Sequence, residues 1–99
     1  MLRLALYKVA GQSMVPTMFD GDYVLCCRWV KFKSKLDDIV VVRHPNYGHI
    51  VKRVADIDQY RRIKLAGDNH FISTSADEMG RVEMAHVLGK VIFKIKRCR

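Results

Sequence analysis

The chain has 99 residues, 49% of them hydrophobic and 28% charged, with two prolines and six glycines. That is enough for one domain with one modest core, and too balanced for a disordered or low-complexity segment. Eighteen Lys and Arg against ten Asp and Glu leave a net charge of +8. Such a charge permits attraction to nucleic acid, anionic lipid or an acidic partner and does not choose among them.

Leu2, Leu4 and Leu6 alternate with Arg3, Ala5 and Tyr7, the period-two pattern of a half-buried strand. Gly11 and Pro16 interrupt it, Asp20-Gly21-Asp22 is a turn signal, and residues 23–27 follow as a second strand. Cys26 and Cys27 would point to opposite faces of that strand, which suits one buried and one exposed thiol. With Cys98 the cysteine count is odd, against a disulfide framework. Residues 34–38 read as a single helical turn. Residues 39–42 are β-branched and apolar throughout, as in a strand covered on both faces. A loop over 44–48 leads to an alternating strand over 49–57 and a short strand over 62–65 that ends at Ala66-Gly67. Residues 84–88 suggest a second helical turn. In the last segment Val91, Phe93 and Ile95 share one face, and Lys90, Lys94 and Lys96 the other. The sum is a single all-β or β-dominated domain over residues 1–99, built of coiled antiparallel sheet.

His44, His49, His70, His86 and the three cysteines show no zinc-like spacing, so neither a metal nor another cofactor is expected. No run approaches the roughly 20 apolar residues of a membrane-spanning helix. Arg3 and Lys8 make the first apolar run a poor signal peptide, so a soluble, cytoplasmic protein is expected. The basic cluster Lys90, Lys94, Lys96, Arg97 and Arg99 leaves room for weak contact with an anionic membrane. A nucleic-acid partner is not expected, for no helix-turn-helix, zinc finger or aromatic RNA-binding motif is present.

Two features carry chemistry. In the strand over 49–54, Lys52 shares its face with Ile50 and Val54, while His49, Val51 and Arg53 share the other. If that face is core, desolvation lowers the lysine pKa and leaves a neutral amine able to act as a base. At a sheet edge the same lysine would pack its stem and keep its amine wet. Arg53, on the opposite face, is expected to be replaceable by lysine with little loss of rate. The second feature is Gly11-Gln12-Ser13-Met14-Val15-Pro16-Thr17-Met18. It sets a serine on a bend where glycine allows close backbone approach and proline fixes the exit. Backbone amides there can face an oxyanion.

The whole run resembles the nucleophile box of the type I signal peptidase family. Further segments agree in order: Asp20-Gly21-Asp22-Tyr23-Val24, then residues 38–42 with Val51-Lys52-Arg53-Val54, then Gly67-Asp68-Asn69 with Ser73, Gly80-Arg81-Val82 and Gly89-Lys90-Val91. The resemblance implies the coiled antiparallel core shared with LexA-type peptidase domains. It implies Ser13 as nucleophile, Lys52 as general base, backbone around Gln12 and Ser13 at the oxyanion, and Ser73 hydrogen-bonded to the lysine. Gly11, Gly67, Asp68 and Asn69 would shape the site as structural turns. The chain departs from the family at Gly11, where many members have a serine, and at residues 73–77, where Ser-Thr-Ser-Ala-Asp replaces Ser-x-Asp-Ser-Arg. The residues of a supporting ion pair are thereby replaced.

LexA-type domains cut their own chain, but only 12 residues precede Ser13, so cleavage in trans is expected. Val40-Val41-Val42-Arg43-His44-Pro45 and the lack of an anchor resemble the small soluble maturation proteases of nickel-type superoxide dismutase. The implied partner is a protein precursor with an N-terminal leader, the nickel superoxide dismutase precursor being the specific candidate. A catalytically inactive binding module on the same fold and a basic nucleic-acid-binding domain stand as alternatives.

Overall fold

Runs rich in Val, Ile, Leu and Tyr, broken by Gly and Asp turns, set the strands. The computed structural model describes residues 2–28, 33–69, 71 and 80–97. In chain order the elements are β1 (Arg3–Lys8), β2 (Tyr23–Arg28), β3 (Ile39–His44), β4 (Gly48–Ile57), β5 (Arg62–Ala66), β6 (Arg81–Glu83) and β7 (Val87–Ile95). A single 3-10 turn at Met84–His86 precedes β7. All seven strands pair antiparallel in one sheet with the order β1-β2-β7-β3-β4-β5-β6. The β-dominated architecture expected from the sequence is therefore the one observed. β6 is three residues long, too short to leave a periodic signal, and went unread. The expected helical turn over 34–38 is absent. A β-turn stands there, with Asp37 at φ 69° and the amide of Asp38 donating to the carbonyl of Lys35 at 3.1 Å.

The sheet buries a different face in each half. Val40, Val42, Val54, Ile63, Leu65, Val82 and Val87 form one core cluster. Val9, Met14, Met18, Val24, Cys26 and Val41 form another. Val41 alternates with Val40 and Val42 along β3, so the clusters lie on opposite faces of that strand. One modest core was expected, and two small ones are present because the sheet coils. The coil brings β1 back against β4, where the rings of Tyr7 and His49 meet edge-on at 5.8 Å. Each fully buried Val, Leu or Ile contributes about 1.5–3 kcal/mol.

Two facing assignments differ from expectation, and one that the sequence left open is fixed by the structure. On β1 it is Ala5 and Tyr7 that pack inward, against the second cluster. Leu4 and Leu6 face outward and are 55% and 56% exposed. Alternation fixes a two-faced strand without saying which face is core, and the larger leucines lie on the outer one. Both Cys26 and Cys27 are buried and free, because β2 is an interior strand and Cys27 sits between Leu4 and Lys90. In β7 a register shift opposite Leu25 and Cys26 breaks the period. Val91 joins the second cluster, while Phe93 and Ile95 are exposed.

Candidate active site

Ser13 lies on the loop between β1 and β2, and its neighbours fix it. Met14 and Met18, 1% and 2% exposed, plug the second core cluster and pin the loop from below. The amide of Met18 donates to the carbonyl of Met14 at 2.9 Å, and that of Val15 to the carbonyl of Gln12 at 3.2 Å. Gly11 enters the loop at φ +79°, a left-handed conformation that glycine adopts without strain. Its amide donates to Asp20 Oδ1 at 2.8 Å. Serine in its place would meet no steric obstacle but would be strained at that φ. The backbone of this loop thus accounts for the glycine where many signal peptidases have serine.

Lys52 comes from the middle of β4, opposite Val40 of β3. It is only 4% exposed and shares its face with Ile50 and Val54, which belong to the first core cluster. Of the two environments the sequence left open, the buried one is observed. Burial pushes the ammonium pKa below its ordinary value, and among the described residues no carboxylate counters the shift.

Ser13 and Lys52 line one cleft of about 280 Å³, together with Lys8, Val9, Ala10, Tyr47, His49, Ile50 and Val51. Among the described residues no Asp or Glu lines it. Lys8, Tyr47 and His49 were not read from the sequence as site residues. They reach the cleft only because the coil folds β1 onto β4, and no local pattern announces that.

The turn after β5 ties the two sides of the site. The amide of Asn69 donates to the carbonyl of Ser13 at 2.8 Å, and its Nδ2 to the carbonyl of Gln12 at 3.0 Å. Asp68 accepts from Arg53 Nε at 2.9 Å and Nη2 at 2.8 Å, and also from the hydroxyl of Thr17. Arg53 Nη1 donates further to the carbonyl of Asp37 at 2.9 Å. The fork with Asp68 holds the Arg53 guanidinium pKa above its ordinary value. Arg53 is therefore a two-toothed anchor. Its pairing with Asp68 supplies an ion pair behind the site, where the replaced residues of the 73–77 segment suggested a loss. Gly67, half-buried, leads from β5 into this turn. Gln12 is exposed and enters the network through its carbonyl. Ser73 lies outside the described residues.

Among the described residues no group of three or more His, Cys, Asp or Glu could hold a metal ion. His44 is buried, and its Nδ1 accepts from the amide of Asn46 at 3.0 Å, as a core histidine does. Among the described residues no helix is long and apolar enough to cross a membrane.

A family model described as Peptidase S24-like matches residues 3–92. The chain belongs to this family. The match places it in the superfamily of LexA-type and signal-peptidase-like domains, the same superfamily the sequence motifs resemble, and supports a serine peptidase. No curated protein matches the chain. Within the S24-like domain, the matched span takes in the Ser13 loop, Lys52 and the Asp68–Asn69 turn together.

Proposed function

We propose that this S24-like domain is a serine endopeptidase in which Ser13 attacks the scissile carbonyl and Lys52 takes its proton. The observation that carries the reading is that Ser13 and a buried lysine, with no carboxylate beside it among the described residues, line one cleft. A lysine must shed its proton before it can accept one from serine, and desolvation without a counter-charge favours that state. Protonated by Ser13, Lys52 then returns the proton to the leaving amine as the acyl-enzyme forms; water attack regenerates Ser13. Backbone amides beside Ser13 are the candidates for the oxyanion.

The substrate we infer is another chain, a precursor from which an N-terminal leader is removed. The segment just before Ser13 supports action in trans: β1 is paired to β2 along its whole length, and Lys8, Val9 and Ala10 are wall of the cleft, not contents. The nickel superoxide dismutase precursor is the specific candidate, on the resemblance of residues 40–45.

Incubation with that precursor and mass spectrometry of the products tests both levels. The parent cuts once near the leader end, and Ser13→Ala and Lys52→Met do not cut. Lys52→Arg is inactive as well, because guanidinium stays charged. Cleavage by Ser13→Ala at the parent rate sinks the nucleophile assignment. Failure on this precursor, with Ser13-dependent labelling by a peptide-based serine-reactive probe, sinks only the substrate.

A further inference from the structure

His49 is a wall of two clefts. It lines the cleft of Ser13 and Lys52, and it lines a second depression of about 680 Å³ together with Arg43, His44, Pro45, Gly48 and His86. The ring of Tyr7 meets His49 edge-on at 5.8 Å and fixes this shared wall against β1. A chain lying in the first cleft and passing His49 therefore enters the second.

Among the described residues, every charged side chain lining the two is basic: Lys8 and Lys52 in the first, Arg43 in the second. Arg43 stands directly opposite His49 in the β3–β4 ladder, so both side chains rise from one face of the sheet. Cross-strand partners lie about 5 Å apart and can grip one group together. Arg43 is exposed and, among the described residues, holds no carboxylate. The other arginines of β3–β6 each hold one: Arg53 has Asp68, Arg62 has Asp58 and Arg81 has Asp56. Glu83 lines a third depression, with Arg81. A guanidinium is a planar fork of donors that fits a carboxylate, and an imidazole N–H beside it adds another donor.

We infer that Arg43, with His49 beside it, is a specificity-determining subsite that takes the side-chain carboxylate of an Asp or Glu in the peptide substrate. Lys52 and His49 are three residues apart on β4. At the strand rise that is about 10 Å. An extended substrate with its scissile carbonyl at Ser13 thus carries the acidic residue about three or four positions from the cut. This inference rests on the peptidase reading and narrows its substrate class.

Alanine-rich dodecapeptides capped at both ends test it, each with one Asp moved stepwise along the chain and matched to an Asn counterpart. Fluorescence anisotropy reads their binding to Ser13→Ala protein, so that no peptide is cut. At one or two positions the Asp peptide binds about fivefold tighter than its Asn counterpart, the yield of an exposed ion pair at the upper end of its range. Arg43→Gln abolishes this preference, and Arg43→Glu transfers it to a Lys peptide at the same position. A merely structural role for Arg43 produces no such transfer, and circular dichroism checks that both variants keep the fold. No Asp preference at any position, or a preference that survives in Arg43→Gln, overturns the proposal. Because binding is compared without turnover, failure of the peptidase reading shows separately, as a parent that neither cuts these peptides nor is labelled at Ser13.

Discussion

Asn69 donates its backbone amide to the carbonyl of Ser13 at 2.8 Å, across more than fifty residues of sequence. Its side chain holds the carbonyl of Gln12 at 3.0 Å. The turn after β5 thus grips the Ser13 loop by its main chain.

Asn69→Ala keeps the first of these bonds and loses the second. Stability should fall by about 1 kcal/mol, the usual net value of a hydrogen bond. Turnover should fall further, by about tenfold or more, because small displacements of a nucleophile are costly. Denaturant melts and Ser13 labelling rates, measured side by side, separate the two effects. Equal labelling by parent and variant would mean that the turn does not position Ser13.

Arg53→Lys should destabilise the fold by about 1.5–3 kcal/mol, the range for hydrogen bonds to charged groups. Lysine cannot reproduce the planar fork on Asp68 while also reaching the carbonyl of Asp37. Arg53 is about a third exposed, so the lower end of that range is expected. Thermal unfolding of the variant beside Asp68→Asn checks this: the two changes break one contact, so their losses should not add.

Lys52 should give stability a specific pH dependence. Its pKa is lower in the folded protein than in the unfolded chain, so between the two values the unfolded state binds more protons. The penalty of burying the amine is therefore fully present below the folded pKa. It is relieved as pH rises toward the unfolded value of about 10.4. Stability should rise over that window in the parent. In Lys52→Met that contribution disappears, and the variant should be more stable at neutral pH by about 1.4 kcal/mol for each unit of the shift. Denaturant titrations from neutral to alkaline pH measure both. The acylation rate of Ser13 should climb over the same window, and a flat profile would remove Lys52 as the base.

Gly11→Ser, which installs the family's usual residue, should not improve the enzyme. The left-handed φ of +79° costs an L-residue roughly 1–2 kcal/mol. A melting temperature and a labelling rate at or above the parent's would show that the loop relaxes to a different backbone.

Much of this was legible beforehand. Period-two alternation and β-branched runs located the long strands, and motif order placed Ser13 and Lys52. The face of Lys52 followed from its neighbours Ile50 and Val54. What could not be read depends on coiling and register. Leu4 and Leu6 turned out to face outward because alternation is silent on direction. Val91 parted from Phe93 at a register shift that no single residue marks. His49 and Lys8 met in the cleft because two strands far apart in the sheet order close on each other.

The placement of β7 between β2 and β3 bears on when the cleft can form. The Ser13 loop hangs from the β1–β2 pair, and Lys52 belongs to the β3–β6 meander. Among the described residues these halves are laddered together through β7, which pairs with both β2 and β3. Without β7 a hairpin and a meander can form, but the ties of Asn69 and Asp68 to the Ser13 loop then act without a shared sheet behind them. On this reading the cleft lined by Ser13 and Lys52 is complete only once β7 has joined the two halves of the sheet.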